Sequence, residues 1–240
     1  MSQAAALGWP RVHLRSTDST NDCARELALT GAPHGTLVTA AEQTAGRGRQ
    51  GRRWSAPAHS ALLMSLLLRE PPQLLPLIAA VAVCDVCDRA DERAMIKWPN
   101  DVVLVREQGF AKLAGILAEG RPQEGWAVLG IGLNVAVEIA QLPHELHDTA
   151  ATLGGSAEDI EPTLCALLAA LERRLAAPEE QTLTAWRERD ALRGRTIAWT
   201  GGQGVADGID GAGRLVVALA EGGRTTLDAG EVHLQLEKPT

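Results

Sequence analysis

The chain reads as an α+β protein: a mixed, mostly antiparallel sheet with helices, followed by a small β-rich unit. Three observations predict this. Residues 35–137 contain several apolar runs of strand length, among them ALLMSLLLR (61–69) and WAVLGIGLNVAV (126–137). Residues 19–29, 73–90 and 158–190 carry apolar side chains at helical spacing. From Arg193 the composition shifts to short β-prone runs separated by glycines, which suits a small β-barrel. The expected domains are 1–190 and 191–240.

Taken in order, a short leader precedes STDSTNDCARELALTGA, where Ser19 and Thr20 are helix-start residues and Gly31 a stop. GTLVTAAEQ (35–43) reads as a strand, and an arginine loop follows it. ALLMSLLLR is a strand apolar enough to be buried on both faces. Residues 73–90 form an apolar helix, and AMIKWPNDVVLV (94–105) reads as strand, turn, strand. FAKLAGILAEG and WAVLGIGLNVAV add two strands joined by RPQEG. Two helices follow in 158–190, the second around Trp186, and then the short strands TIAWT, RLVVALA and EVHLQLE.

Composition narrows the function classes. The chain has 240 residues, 45% hydrophobic and 22% charged, with a formal net charge of -7. An acidic balance argues against wholesale nucleic-acid binding, which needs a broad basic face. The longest apolar run (74–83) is short for a membrane span and contains Pro76. No secretory leader is visible, so a cytoplasmic protein without a membrane partner is expected. Cys23, Cys84, Cys87 and Cys165 do not form a disulfide framework, and Cys84 and Cys87 fall in an apolar helical pattern that makes them core residues. His144 and His147 in HELH could share a helix face, but a solvated pair is the better reading than a metal site.

The local exception is GRGRQGRRW (46–54), with four arginines in an acidic chain. Ordering such a loop costs about 1–2 kcal/mol per backbone, and each charge-assisted hydrogen bond returns about 1.5–3 kcal/mol. Arg47, Arg49, Arg52 and Arg53 pairing with a polyanion such as a triphosphate would roughly balance that cost, with Trp54 offering a flat face for stacking. Without the anion the loop should be mobile. The alternative is a solvated or RNA-binding arginine patch, which the core strands at both ends of the loop disfavour.

Other candidates are ambiguous singly. Lys112 could simply snorkel at the edge of its strand, although Gly115 within that strand would let a ligand approach the backbone. Lys97, Asn100 and Asp101 in KWPND make a good turn for local reasons, Ser19 and Thr20 a good N-cap, and Asn134 a strand-end turn.

Together, STN, EQTAGRGRQGRRW, KWPND, KLAGILAE and GIGLNV, in this order from residue 19, resemble the biotin protein ligase family. The Gly-rich end, including GIDGAGRL, is similar to that family's SH3-like appendage. The resemblance implies a catalytic domain of the biotin–lipoate ligase type, related to class II aminoacyl-tRNA synthetases. It implies activation of biotin by ATP with Mg²⁺ to biotinoyl-5'-AMP, then transfer to a lysine on the biotin carboxyl carrier domain of acetyl-CoA or pyruvate carboxylase. Carried over by motif, Ser19, Thr20, Asn21, Gln43 and the strand at Gly115 hold biotin, and Gly46, Arg47, Gly48 and Arg49 cover biotin and the adenylate phosphate. Arg52, Trp54, Asn100, Asp101 and Asn134, with Arg49, lie on the ATP side. Lys112 stands at the carboxylate–phosphate junction. Arg47, Lys112, Lys97 and Asp101 are the catalytic set, Asp101 also being the Mg²⁺ candidate and, with water, a candidate base for the transfer step. Only 18 residues precede STN, so a helix-turn-helix repressor module is not expected. The C-terminal unit could close the nucleotide site, dock the acceptor or serve as a passive cap. A lipoate ligase or octanoyltransferase is the nearest enzymatic rival.

Overall fold

The computed structural model describes residues 7–88, 92–228 and 232–234. Its centre is a seven-stranded sheet of β1 (Arg11–Leu14), β2 (Leu37–Ala40), β3 (Ala61–Arg69), β4 (Met95–Lys97), β5 (Asp101–Arg106), β6 (Gly109–Arg121) and β7 (Trp126–Asn134), in the order β1-β2-β3-β7-β6-β5-β4. All neighbours are antiparallel except β1 and β2. β1 comes from RVHL, part of the stretch expected to be only a leader. Pairing with β2, not a strong apolar pattern of its own, makes it a strand. β2 is shorter than the expected 35–43.

The sheet separates two apolar layers. Along β3, Leu62, Met64, Leu66 and Leu68 join the main core, which includes α2 (Leu75–Cys87) and α3 (Ile160–Ala176). Leu67 faces the opposite way, packing with Ala24 and Ala28 of α1 (Thr20–Leu29). Such alternation is what a two-residue strand period imposes on a strand buried on both faces. Ten of the thirteen α2 residues are buried, because it is enclosed by the sheet, α3 and α4 (Glu179–Arg187). Cys84 and Cys87 are free and buried there, and burial pushes the Cys84 thiol pKa up. The expected helix 73–90 is realised as Leu75–Cys87; residues 89 and 90 lie outside the described residues.

The last strands, β8 (Thr196–Trp199), β9 (Gly202–Ile209), β10 (Leu215–Ala218), β11 (Arg224–Leu227) and β12 (His233–Leu234), form an antiparallel sheet in the order β11-β10-β9-β8-β12. No pairing of β11 with β12 closes it among the described residues, so the expected barrel is an open sheet here. Of the expected strand EVHLQLE, residues 231 and 235–237 lie outside the described residues. Ile197, Ala206, Ile209, Leu215 and Val217 belong to the same core as α2. Trp98 Nε1 donates to Gly213 O at 3.1 Å. The composition shift near residue 191 therefore marks a change of topology while apolar packing continues across it. HELH does not lie on an α-helix: His144–Leu146 is a single 3₁₀ turn, and His147 Nε2 sits 2.9 Å from Leu142 O. Among the described residues, no helix is long and apolar enough to cross a membrane.

Candidate active site

A cavity of about 480 Å³ opens on the α1 face of the main sheet. Its floor is made of glycines. Gly115 of β6 stands opposite Gly132 of β7, and Gly130 lies two residues further along β7. A Cβ on Gly132 would come within 2.5 Å of the Trp54 indole, and one on Gly130 within 2.1 Å of Asn21 Oδ1. The missing side chains thus make room for two groups arriving from other elements.

At one end lies the start of α1. Ser19, Thr20 and Asn21 are buried, and Gln43 Oε1 accepts from Thr20 N at 2.7 Å and Thr20 Oγ1 at 3.0 Å. Ser65, the one uncharged polar residue within ALLMSLLLR, donates to Asn21 Oδ1 at 2.6 Å and lies 2.8 Å from Thr20 Oγ1. The Asn21 amide group donates to Leu117 O (3.3 Å) and Glu119 Oε2 (2.8 Å). With a hydroxyl on its oxygen side and two acceptors on its nitrogen side, Asn21 has only one satisfactory amide orientation.

The other end is charged. Lys112 Nζ pairs with Asp101 Oδ1 at 2.7 Å and sits 5.6 Å from the Trp54 ring centroid. Lys97 and Asp101 face one another across β4 and β5. Lys112 and Gly115 are three residues apart, which would put them on opposite faces of a regular strand. A register shift between Val102 and Val103 turns Leu113 and Ala114 both into the core and returns both functional positions to the cavity. Residues 149–151 pair with the Lys112 backbone at this irregularity, through Lys112 N to Thr149 O and Ala151 N to Lys112 O. Asn100 and Asn134 are buried, and their amide groups donate to Ile116 O and Ala151 O.

The arginine loop crosses this cavity. It turns at Arg49–Gly51, with Gln50 (φ 55) and Gly51 (φ 75) in the left-handed region, where glycine is the favoured residue. Gly46 lies beneath the lining: a Cβ there would meet Trp54 O at 2.6 Å. The four arginines divide. Arg47 Nη2 donates to Asp22 Oδ1 (2.8 Å) and Glu119 Oε2 (3.0 Å), and Arg53 Nη2 to Thr44 O (2.8 Å). The expectation that all four turn to an anion did not include these partners for Arg47 and Arg53 within the protein. Burial and the neighbouring Arg52 guanidinium pull the Arg49 pKa below the ordinary arginine value, opposed by Asp101. Drawing two cations together beside a partly buried site favours an anion between them.

Every site residue expected from the sequence lines the cavity except Gly46. Sequence reasoning missed Ser65 behind Thr20 and Asn21, Gly130 and Gly132 on the floor, Asp22 and Glu119 beside Arg47, and His233 and Leu234, which β12 brings to the wall. A lone serine in an apolar strand was a legible signal for the first of these. The arrival of β12 was not, because only packing brings it there.

Residues 13–135, just over half of the chain, match the family described as biotin/lipoate A/B protein ligase. The chain belongs to that family. It is 36% identical to the biotin--[acetyl-CoA-carboxylase] ligase of Mycobacterium tuberculosis over 96% of this chain and 92% of that one. The bifunctional ligase/repressor BirA of Bacillus subtilis is 39% identical over 58% of this chain, and the match spans 44% of that longer protein. Among solved structures, the biotin protein ligase from Aquifex aeolicus in complex with biotin and ATP superposes with a TM-score of 0.78 at 27% identity, covering 95% of this chain and 99% of that one. The glycine floor and the arginine loop both lie within the stretch that carries the family match.

Proposed function

We propose that this family member is an ATP-dependent biotin protein ligase, which forms biotinoyl-5'-AMP and passes biotin to a lysine of a biotin carboxyl carrier domain. The observation that carries the reading is one cavity with two unlike ends: a buried amide and hydroxyl network at Ser19, Thr20, Asn21 and Gln43, and a cationic end at Arg49, Arg52, Lys97 and Lys112. The first suits a neutral, hydrogen-bonding head group. The second suits a carboxylate meeting a polyphosphate.

Biotin's carboxylate is already ionised at neutral pH, so adenylation needs no base. A carboxylate oxygen attacks the α-phosphorus, the bond to the bridging oxygen breaks, and pyrophosphate leaves. Lys112 and Arg49 offset the charge that accumulates as the two anions meet. Asp101 keeps Lys112 directed across the floor, and Trp54 covers the glycines. Asn100 and Asn134 shape the nucleotide side through their backbone partners. Arg47 acts with Gly46 and Gly48 as part of the cover over biotin. In the second step the acceptor amine attacks the acyl carbon, AMP leaves, and the amine's proton goes to Asp101 or to water.

Asp101 is the one carboxylate among the described residues lining the cavity. That fits Mg²⁺ carried in by the nucleotide's phosphates better than a cage built by the protein. When bound, Mg²⁺ supplies further neutralisation of those phosphates. The finer readings belong to the same proposal: residues 1–190 as the catalytic domain, 191–240 as an SH3-like module, an acetyl-CoA or pyruvate carboxylase acceptor, and a cytoplasmic location.

The test is exchange of labelled pyrophosphate into ATP with biotin, lipoate, octanoate or no acid. Exchange with biotin alone is expected. Exchange with lipoate or octanoate instead would overturn the substrate, and no exchange with any acid would overturn the chemistry.

A further inference from the structure

We infer that Glu119 is a positioning residue, the carboxylate that joins the arginine loop to Asn21 at the biotin end of the cavity, an inference that rests on the ligase reading for what the loop covers. One oxygen does the joining. Glu119 Oε2 accepts from Asn21 Nδ2 at 2.8 Å and from Arg47 Nη2 at 3.0 Å. Arg47 Nη2 also reaches Asp22 Oδ1 at 2.8 Å, and that same oxygen accepts from Arg25 Nη2. The loop, the first turn of α1 and β6 are therefore fastened at one place, and the fastening is made of this chain's own charges.

Two properties make this more than a surface ion pair. Asn21 is 5% exposed and has no orientational freedom, because Ser65 occupies its oxygen and Leu117 and Glu119 its nitrogen. An oxygen held by Asn21 is thus a fixed point for Arg47. Further, Arg47 lies at the neck of the loop: Gly48 N donates to Arg52 O and Trp54 N to Gly46 O on either side of it. Holding Arg47 holds the neck, while Arg49 and Arg52 at the tip stay directed to the cationic end. Closure over the head group and alignment of the α1 network are then one event. Loss of the Glu119 charge should loosen the neck before any ligand binds.

The experiment is hydrogen exchange of the ligand-free protein, read at the Gly48 and Trp54 amides, for wild type, Glu119→Gln, Arg47→Ala and the double variant. Glutamine keeps an oxygen for Asn21 but removes the charge that holds Arg47. Each single variant is expected to speed exchange roughly threefold to tenfold, with the double no faster than the faster single, as coupled neighbours require. Amides of β7 should be unchanged. Asp22→Asn provides a second route to the same loosening should Glu119→Gln fold poorly. Unchanged exchange in the single variants, or effects that multiply in the double, would overturn the inference. Because no ligand is present, this outcome is separate from that of the pyrophosphate assay. In that assay the wild type alone decides the ligase reading, and Glu119→Gln is expected to raise the biotin KM more than it lowers kcat.

Discussion

Replacing Gly130 with alanine tests the glycine floor where it is tightest. The new Cβ would stand 2.1 Å from Asn21 Oδ1, 2.8 Å from its Cγ and 3.0 Å from its Nδ2. To reach the 3.4 Å at which such contacts become ordinary, the amide must retreat by more than 1 Å. It cannot do so and keep the 2.6 Å bond to Ser65, a fully buried hydroxyl, together with the 2.8 Å bond to Glu119. A buried polar group left unpaired costs about 1–3 kcal/mol. Alanine returns only about 0.4–1 kcal/mol by restricting the unfolded chain. The expected net loss is about 1–2 kcal/mol, which lowers the melting temperature by roughly 2–8 °C in a chain of this size. Biotin affinity should fall by about fivefold to thirtyfold if the same 1–2 kcal/mol is lost from the bound state, at 1.4 kcal/mol per tenfold. Gly211→Ala is the control, since a Cβ there meets nothing within 4 Å. Thermal melts and biotin titration calorimetry give both readouts. A Gly130→Ala protein that melts and binds like wild type would show that Asn21 does not need the space, and the account of the floor would fall.

Two further outcomes follow from the charged groups. Lys112→Met removes the cation 2.7 Å from Asp101, whose side chain is only 14% exposed, and takes a positive charge from beside the phosphate path. Biotin-dependent pyrophosphate exchange should drop by about 10²–10³-fold, with little change in biotin binding measured by calorimetry; an unchanged exchange rate would remove Lys112 from the chemistry. Away from the site, Arg189 hydrogen-bonds Asp88 through both oxygens (2.8 and 2.7 Å) and holds its carboxyl below the usual carboxylate range. A depressed folded pKa contributes stability that is present above the unfolded value, near 4, and is lost as pH falls through the folded one. Melting temperatures followed from pH 7 to pH 3 should therefore fall less steeply for Asp88→Asn than for wild type, and parallel curves would contradict the pairing.

Much of the fold and the site was legible in the residues. Leucine-rich ALLMSLLLR could only be a strand covered on both sides, the Gly-rich end announced short strands, and the arginine loop between core strands marked residues that line the cavity. These readings succeed because they depend on local properties: period, turn chemistry and charge density. The edge strand β1 escaped because a partner, not its own pattern, makes it a strand. The destinations of the four arginines escaped for a similar reason. Residues six apart in a loop carry no record of which will meet a carboxylate on β6 and which will meet a backbone carbonyl.

What the sequence determined by itself was the inventory of chemistry and the order in which the chain presents it. Only the tertiary structure decided that Lys112 and Gly115 share a face, through the irregularity that turns both Leu113 and Ala114 into the core. It also decided that Gly130 and Gly132 are empty on behalf of Asn21 and Trp54, and that β12 arrives at a cavity whose other lining residues end at Ala150. The physical reason is common to all three. Composition and period specify which surface a residue prefers, whereas the neighbour it meets depends on register and packing between distant segments.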